Sequence, residues 1–274
     1  MSGTDRYALI AGNGEFPLLV LEEATRRGVD LIVLAIKEEA WKDVEQFDVP
    51  VHWVSLGELQ KAMGILRDEK ITKVVLAGQV KHKNIFSDIP TDPVLKQLLA
   101  SMPQKNTDAL LGSISNALEA LGLEVVHSTL FLQSLLAPLG PVSHRQVDER
   151  EKTDIKYGRR VGQEIARLDL GQTVVIAQQA CITVEAMEGT DATIERAASL
   201  VNGKPLVVVK LSKPNQDMRF DVPVVGINTL ETMKKSNATA LALDAGKTLI
   251  IGREAFIQKA DDYSIAVVAY EPGT

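Results

Sequence analysis

Short apolar runs alternate with segments of helical period through the N-terminal half of the chain. The runs Tyr7–Gly12, Asp30–Ile36 and Lys73–Gly78 would be apolar on both faces of a strand. Between them, Phe16–Arg27 and Ser55–Asp68 repeat apolar residues every three or four positions, as an amphipathic helix does. Strands of this kind alternating with helices favour a parallel sheet covered by helices on both sides. Three more segments extend the pattern, with strands at Val51–Val54 and Leu123–His127 and a helix at Thr107–Leu121. The pattern therefore predicts a doubly wound, Rossmann-like α/β domain.

The C-terminal half follows a different pattern. Thr173–Ala177 and Ala180–Met187 predict two adjacent strands around a tight turn, and Ala238–Asp244 and Thr248–Ile251 predict a hairpin. The other predicted segments are helices at Glu151–Leu168, Thr190–Val201 and Thr229–Ser236 and strands at Leu206–Leu211 and Ile265–Tyr270. Antiparallel neighbours together with helices indicate a mixed α/β sheet.

The length of the chain suggests two domains. It has 274 residues, and a domain takes roughly 150. Proline, glycine and polar residues accumulate between 134 and 150, a composition typical of a linker. We therefore expect an N-terminal α/β domain at 1–133, a linker at 134–150, and a C-terminal mixed α/β domain at 151–274 that carries the catalytic loop.

Composition excludes several classes of protein. Apolar residues make up 45% and charged residues 24%, which argues against disordered and fibrous chains. A net charge of −6 and an aromatic content of 4% argue against a nucleic-acid partner. The N-terminus lacks the layout of a signal peptide, and no apolar run approaches the ~20 residues of a membrane-spanning helix. Cys181 is the only cysteine, so an internal disulfide and a thiolate metal cluster are excluded. We expect a cytoplasmic protein.

Two loops lie where a parallel sheet binds ligands, beyond the carboxyl ends of its strands. These loops are Gly12-Asn13-Gly14 and Gly78-Gln79-Val80-Lys81. Backbone N–H groups of the first loop could approach a phosphate, helped by the dipole of the next helix. However, Pro17 stands where a dinucleotide fingerprint has its third glycine. Phosphate contact and a simple tight turn both remain open.

A second candidate site is the segment Glu185–Asp191, which joins a strand to a helix. Thr190 or Asp191 could cap that helix, or the same turn could bind an anion or a metal-bound phosphate. Glu185 and Glu188 fall on opposite faces of an extended strand, one of which must be buried. For that reason we favour the functional interpretation.

The third candidate is the loop from Lys210 to Pro223. In an extended segment Asp217, Arg219 and Asp221 would point the same way. Carboxylate oxygens suit Mg²⁺, and Arg and Lys neutralise phosphate charge. Surface salt bridges would contribute little, so the density of mixed charge between two prolines favours a Mg²⁺-phosphate centre.

These segments resemble one known family, the LpxI type of UDP-2,3-diacylglucosamine pyrophosphatases. The resemblance runs in order across nearly the whole chain. Its motifs are Ala11-Gly12-Asn13-Gly14-x-x-Pro17, Ala77-Gly78-Gln79-Val80, Asp108-Ala109-Leu110-Leu111, Leu168-Asp169-Leu170-Gly171-Gln172, Val184-Glu185-Ala186-x-Glu188-Gly189-Thr190-Asp191 and Lys213-Pro214-x-Gln216-x-x-Arg219-x-Asp221-x-Pro223-x-x-Gly226. Asn13 stands where the family often has the middle of three glycines, and only Asp108 remains of an acid pair.

The resemblance implies a function. The family hydrolyses UDP-2,3-diacylglucosamine to UMP and 2,3-diacylglucosamine 1-phosphate (lipid X) in lipid A biosynthesis, uses Mg²⁺, and binds the lipid between two α/β domains. Its catalytic aspartate corresponds to Asp221, which we expect to hold the metal or to orient water. We further expect Glu188, Asp191 and Asp217 as metal ligands, and Lys213 and Arg219 as catalytic cations. The expected ligand-binding residues are Gly12, Asn13, Gly14, Gln79, Gly189, Thr190, Asn215 and Gln216.

The substrate implies transient contact with the inner membrane surface, although the sequence shows no strongly basic amphipathic helix. We also consider a homodimer. Two other functions remain open. A dinucleotide-dependent oxidoreductase is disfavoured by the broken glycine fingerprint and by Lys37, which follows the second strand where an acid is expected. A non-catalytic protein that binds a nucleotide sugar or lipid would need fewer charged residues than the third candidate loop contains.

Overall fold

The computed structural model describes residues 5–80, 89–102 and 107–273, with Thr107 and Asp108 described by their backbone alone. The chain forms two compact units. Unit 1 comprises Met1–Leu132 and Met218–Asp221, and unit 2 comprises Gln133–Asp217 and Val222–Thr274. The four residues Met218–Asp221 thus belong to unit 1, although they lie between the two segments of unit 2 in the sequence. Among the described helices, none has both the length and the apolar character needed to cross a bilayer.

Unit 1 contains a five-stranded parallel sheet in the order β3-β2-β1-β4-β5. Its strands are β1 (Tyr7–Ala11), β2 (Leu31–Ile36), β3 (Val51–Val54), β4 (Lys73–Ala77) and β5 (Glu124–Val126). Its described helices are α1 (Phe16–Arg26), α2 (Leu59–Asp68), α3 (Pro93–Ser101) and α4 (Thr107–Ala120), with a 3₁₀ turn at Lys42–Gln46. Every residue of β2 is buried, because β2 is an inner strand of the sheet. The predicted parallel α/β class is confirmed.

The strand order of unit 1 has functional consequences. The chain progresses from β1 to β2 and β3 on one side, then returns to add β4 and β5 on the other. Open parallel sheets bind ligands where the order reverses, beyond the carboxyl ends of the strands. In this sheet the reversal lies between β1 and β4.

Unit 2 contains a six-stranded mixed sheet in the order β6-β13-β11-β9-β7-β8 and a small parallel pair, β10-β12. The strands are β6 (Gly140–Pro141), β7 (Thr173–Ala177), β8 (Ala180–Val184), β9 (Leu206–Lys210), β10 (Val224–Val225), β11 (Ala238–Asp244), β12 (Leu249–Ile250) and β13 (Ala266–Tyr270). The described helices are α5 (Glu149–Arg167), α6 (Thr190–Leu200), α7 (Ile227–Lys235) and α8 (Arg253–Asp262), with a 3₁₀ turn at Gln133–Leu135. The central strands β9, β11 and β13 are parallel, whereas β6 and β7 are antiparallel to their neighbours. The predicted mixed class is also confirmed.

Helix α5 packs closely on one face of this sheet. A Cβ atom on Gly158 would lie 2.7 Å from Val209 Cγ2, and one on Gly162 would lie 2.9 Å from Leu211 Cδ1. The two glycines therefore allow the helix backbone to approach β9. Asp148 and Glu151 form a reciprocal capping box that fixes where α5 begins. Residues of α6, α7 and α8 share a second apolar core with the same sheet.

The predicted hairpin at 238–251 is wrong. Strand β11 pairs with β9 and β13, both parallel, whereas β12 pairs with β10. All but one residue of β11 is buried, so neighbours on both sides satisfy its backbone groups. Nothing in the local pattern distinguishes this tertiary pairing from a hairpin.

The region expected to be a linker, 134–150, is part of unit 2. β6 pairs with β13, and Ala137 N donates to Thr248 O over 2.8 Å. The proline and glycine residues there shape a short edge strand. Two helices were also not predicted, α3 and α8. Each buries few side chains, Leu95 in α3 and Phe256 and Ala260 in α8, so the helical period is weak.

Candidate functional site

In unit 1, the loops at the carboxyl ends of β1 and β4 are joined by a pair of backbone hydrogen bonds. Asn13 N donates to Gln79 O over 2.7 Å, and Gln79 N donates to Asn13 O over 2.8 Å. The Asn13 side chain donates to the carbonyl oxygen of Glu39 over 3.0 Å. The structure thus brings the predicted ligand-binding residues Gly12–Gly14 and Gln79 together at the strand-order reversal.

The glycines of these loops have a structural reason. A Cβ atom on Gly12 would lie 2.8 Å from Gln79 O, and one on Gly78 would lie 2.8 Å from Asn13 O. Gly78 and Gly14 also have positive φ values, 93° and 98°, which side chains rarely adopt. The contact between the loops and their backbone angles therefore account for the glycine pattern without a ligand.

The segment Met218–Asp221 lies at the same edge of the unit 1 sheet. Ser128 N donates to Met218 O over 2.9 Å, and Ser128 Oγ donates to Arg219 O over 2.7 Å. The same Oγ contacts the carbonyl oxygen of Leu76, near the end of β4. Ser128 therefore holds the segment beside the carboxyl ends of β4 and β5.

Within this segment, Phe220 packs against the core of unit 1, and Arg219 Nη1 pairs with Glu119 Oε1 over 2.8 Å. Asp221 is half-buried. Residues 218–220 form a turn, so the prediction that Asp217, Arg219 and Asp221 share one extended face is wrong. The apolar Phe220 side chain draws the turn onto unit 1, while Asp217 belongs to unit 2.

In unit 2, a lysine lies at the carboxyl end of a central strand of the sheet. It was not among the predicted site residues. Lys210 is the last residue of β9 and only 8% exposed. Its Nζ donates to Thr190 Oγ1 over 2.6 Å, and Thr190 Oγ1 donates to Glu185 Oε1 over 2.9 Å. Thr173 Oγ1 lies 3.2 Å from Thr190 Oγ1. A cation, two hydroxyls and a carboxylate thus form one polar cluster where α6 begins.

The motif at residues 168–172 supports this cluster. A Cβ atom on Gly171 would lie 2.1 Å from the carbonyl oxygen of Glu185, so only glycine permits the backbones to meet there. Gln172 N donates to Glu185 Oε2 over 3.3 Å. Gln172 Oε1 is buried and accepts no hydrogen bond from the described residues. This edge therefore contains a polar atom with unused capacity to accept a hydrogen bond.

The acids of the Glu-Gly-Thr-Asp motif have different surroundings. Glu188 pairs with Arg196 over 2.6 Å. The pKa of the Glu188 carboxyl is lowered, first by a hydrogen bond from its own backbone and second by the hydrogen bond from Arg196. Asp191 lies in the first turn of α6. Partial burial raises the pKa of its carboxyl, Lys210 lowers it, and the carboxylates of Glu195 and Glu185 raise it further.

Strand β8 ends at Val184 rather than Met187. Gly189, with a φ of 83°, then turns the chain into α6.

The start of the charged loop in unit 2 is a compact turn. Lys213 N donates to Gln216 Oε1 over 2.6 Å, and Gln216 N donates to Lys213 O over 3.1 Å. Lys213 Nζ pairs with Asp169 Oδ1 over 2.8 Å. Asn215 is exposed at the tip. The motifs at 168–172, 184–191 and 210–216 therefore meet at one edge of the unit 2 sheet.

Two predicted positions cannot be compared with the structure. Lys81 lies outside the described residues, and the side chain of Asp108 is not described. The predicted metal ligands fall in both units, with Asp221 in unit 1 and Glu188, Asp191 and Asp217 in unit 2.

The carboxylate oxygens of the predicted metal ligands are donors of the type that a hard cation prefers. Within the described residues there is no group of three or more His, Cys, Asp or Glu side chains close enough to hold a metal. Mg²⁺, however, is commonly bound by one or two carboxylates together with substrate phosphates. Asp191 and Asp217 in unit 2 and Asp221 in unit 1 each carry carboxylate oxygens of that kind, whereas Glu188 pairs with Arg196.

Lys210 and Glu185 lie at the starts of two candidate segments from the sequence, but the sequence analysis assigned neither of them a catalytic, ligand-binding or metal role. The available signal was a lysine closing an otherwise apolar strand, Leu206-Val207-Val208-Val209-Lys210. A charge at the carboxyl end of a buried strand must find a partner, and here one partner is the Thr190 hydroxyl.

Comparisons with known proteins identify the family of the chain. The LpxI N-terminal domain family matches residues 6–135, and the LpxI C-terminal domain family matches residues 138–268. A curated relative, the UDP-2,3-diacylglucosamine pyrophosphatase LpxI of Caulobacter vibrioides, is 29% identical over 97% of this chain and 98% of its own length.

Solved structures give weaker matches. CobK precorrin-6A reductase matches 98% of this chain and 89% of its own length, with 10% identity and a TM-score of 0.30. The biotin carboxylase domain of Hydrogenobacter thermophilus 2-oxoglutarate carboxylase matches 72% of this chain, with 10% identity and a TM-score of 0.29. The chain spans only 41% of that carboxylase's length. The family matches, in contrast, cover nearly all of the chain, and the protein belongs to the LpxI family across both of its domains.

Proposed function

We propose that this protein hydrolyses the pyrophosphate bond of UDP-2,3-diacylglucosamine in a Mg²⁺-dependent reaction. Water attacks one phosphorus atom, the bond between that phosphorus and the bridging oxygen breaks, and the products are UMP and 2,3-diacylglucosamine 1-phosphate. The observation that supports this most strongly is the full-length match to a relative named for that substrate.

Asp221 is the residue that we assign to the reacting water or the metal. It corresponds to the aspartate of the Arg-x-Asp-x-Pro element, and the Ser128 hydrogen bonds hold its segment at the edge of the unit 1 sheet. A carboxylate in this position accepts a proton from water or orients it for attack. Asp191 and Asp217 are the further candidates for Mg²⁺ ligands. When bound, Mg²⁺ would neutralise phosphate charge and polarise the bond that breaks.

Cations of the chain would offset the negative charge that redistributes in the transition state. Lys213 and Arg219 are the assigned residues, each already oriented by a carboxylate, Asp169 and Glu119 respectively. These carboxylates fix the side chains in advance and so reduce the entropy cost of positioning them on substrate.

The backbone N–H groups at the start of α6, around Gly189 and Thr190, are assigned to a phosphate oxygen. The free N–H groups of a helix N-terminus bind anions, and the helix dipole favours the negative charge. Gln79, Asn215 and Gln216 are assigned to the uridine or sugar by their amide groups.

The test is to incubate the purified protein with UDP-2,3-diacylglucosamine and to measure release of UMP and lipid X by mass spectrometry. We expect release with Mg²⁺ and none after chelation with EDTA. Release that is unaffected by EDTA would overturn the metal dependence. Binding of the substrate without any release would overturn the hydrolase assignment and favour a carrier protein.

A further inference from the structure

Helix α5 carries a basic groove that the proposed reaction does not use. The groove lies in unit 2, beside the end of β13, and has a volume of about 360 Å³. Four cationic side chains line it, together with Ile155, Gln163 and Tyr270. The cations are Lys152, Lys156, Arg159 and Arg160. Their spacing places them on one side of the helix, because residues three and four apart are neighbours on a helix surface.

Two of the four cations are neutralised within the fold. Lys152 Nζ pairs with Glu149 Oε1 over 2.7 Å, and Arg159 Nη1 pairs with Asp244 Oδ1 over 3.0 Å. Lys156 and Arg160 are exposed, and neither has an ion pair with any of the described residues. The groove therefore concentrates unneutralised positive charge in a chain whose net charge is −6. A concavity of one sign raises the local concentration of the opposite charge.

The wall of the groove is held in place before any ligand binds. Arg159 is 5% exposed, and its Nη2 donates to the carbonyl oxygen of Glu271 over 2.7 Å. Its guanidinium carbon lies 4.9 Å from the ring centre of Tyr270. Asp244, which holds the other side of Arg159, is itself fixed by the backbone N–H and hydroxyl of Ser212, each at 2.8 Å. A pre-positioned site loses less entropy when it binds.

We propose that this groove binds a phosphate ester. Its volume lies at the small end of the range of ligand pockets, about 300–1,000 Å³. A phosphate group presents up to two negative charges and three acceptor oxygens, which match the two unneutralised cations and the N–H groups of Arg160 better than a single carboxylate does. The ester could be the headgroup of an anionic lipid or a soluble phosphate compound.

Exposed leucines at the end of the same helix favour the lipid source. Leu168 and Leu170 are 58% and 54% exposed. Leu168 directly follows the last residue of α5, and Leu170 lies two residues beyond it. At a bilayer surface, apolar side chains enter the boundary of the acyl chains while Lys and Arg remain with the phosphates. The helix that the sequence predicts to end at Leu168 ends at Arg167.

The test uses the full-length protein and the double variant Lys156→Gln/Arg160→Gln. Both substituted residues are exposed, and neither belongs to the proposed catalytic or binding residues. The matched control is Lys234→Gln/Lys235→Gln, which removes two exposed positive charges from α7. Co-sedimentation is measured with vesicles of phosphatidylglycerol and phosphatidylcholine and with vesicles of phosphatidylcholine alone.

We expect the wild type and the control to bind the phosphatidylglycerol vesicles and not the neutral ones. The groove variant should bind the phosphatidylglycerol vesicles about 25-fold more weakly. Each positive charge removed near an anionic surface costs about fivefold in affinity, and the variant removes two. A second arm titrates glycerol 3-phosphate by calorimetry. Binding there by the wild type and not by the groove variant, without vesicle binding, supports the site with a soluble ligand.

Two results would overturn the proposal. One is the absence of binding in both arms, and the other is an equal loss in the groove variant and the control. The inference does not depend on the proposed hydrolysis, because the vesicles contain no UDP-sugar. Release of UMP by the groove variant in detergent micelles is measured separately, and we expect it to match the wild type. A failure of the hydrolase assignment is thereby distinguished from a failure of the groove.

Discussion

Lys210 Nζ donates a hydrogen bond of 2.6 Å to Thr190 Oγ1, which joins the end of β9 to the first residue of α6. Thr190 Oγ1 in turn donates to Glu185. A nearly buried ammonium group is thus balanced by a carboxylate through a single hydroxyl. Because an unsatisfied buried polar group is costly, each member of this cluster depends on the others.

We predict that two substitutions of Thr190 distinguish the contribution of its hydroxyl to stability from the contribution of its size. Thr190→Val should lower the free energy of unfolding by about 1–3 kcal/mol, since Lys210 and Glu185 each lose a partner. Thr190→Ser should retain most of the stability because it keeps Oγ. Urea unfolding of both variants measures the difference. Equal stability of the two variants would contradict a structural role for the hydroxyl.

We predict that Glu188 and Asp191 differ in their effect on activity. Glu188 forms an ion pair with Arg196. Glu188→Gln should therefore reduce the rate of UMP release less than tenfold, which corresponds to a loss of less than about 1.4 kcal/mol of transition-state stabilisation. Asp191→Asn should reduce it more and raise the Mg²⁺ concentration needed for half-maximal rate. A Mg²⁺ titration of each variant checks both statements. The reverse order would make Glu188 the metal ligand.

We predict that the glycines of the unit 1 loops tolerate substitution unequally. Gly78→Ala introduces a Cβ 2.8 Å from Asn13 O at a positive φ, whereas Gly14→Ala meets no atom within 4 Å. Gly14→Ala should therefore cost only the backbone strain, about 1 kcal/mol, and Gly78→Ala substantially more. Thermal unfolding compares them, and equal losses would mean that the loops can separate without cost.

We predict a pH dependence from the His144–Asp261 pair of unit 2. The Asp261 carboxylate raises the pKa of His144 above its ordinary 6.5, and His144 lowers the pKa of Asp261 below its ordinary 3.8. The stabilisation from His144 is complete below pH 6.5 and is lost as the pH rises through its raised pKa. The stabilisation from Asp261 is complete above pH 3.8 and is lost as the pH falls through its lowered pKa.

The size of this effect should be small, because the His144 side chain is 89% exposed and solvent screens the pair. The measurement is the difference in Tm between wild type and His144→Gln from pH 3 to pH 9. The difference should be largest between the two ordinary pKa values. A constant difference across the range would show that the pair contributes no charge interaction.

The sequence predicted the parallel sheet of unit 1 well because its strands are apolar on both faces, as in Leu31–Ile36. It failed where pairing is decided by tertiary contacts. Leu249–Ile250 follows a turn after β11, as a hairpin strand would, but pairs with Val224–Val225. The turn at 218–220 was likewise invisible, because Phe220 packs on a core formed by residues more than 90 positions earlier, such as Leu118 and Val125.

The candidate site was predicted in its motifs rather than in its connections. The sequence analysis identified Thr190 and Asp191 as candidate residues. However, Thr190 accepts a hydrogen bond from Lys210 at the end of β9, and no spacing in the sequence predicts that bond. The close approach of Gly171 to Glu185 likewise depends on how β7 and β8 pair. Residue types therefore indicated the chemistry, and the fold determined which residues meet.

Release of UMP from UDP-2,3-diacylglucosamine by the wild type and by Asp221→Ala, with Mg²⁺ present, tests the central claim most directly. The account predicts at least about a 100-fold lower rate for the variant, the contribution expected of a group that positions or deprotonates water. Thermal unfolding and substrate binding should stay close to wild type, because the Ser128 hydrogen bond and the packing of Phe220 remain to hold the segment. A folded variant that releases UMP at nearly the wild-type rate would remove Asp221 from the mechanism and contradict the account.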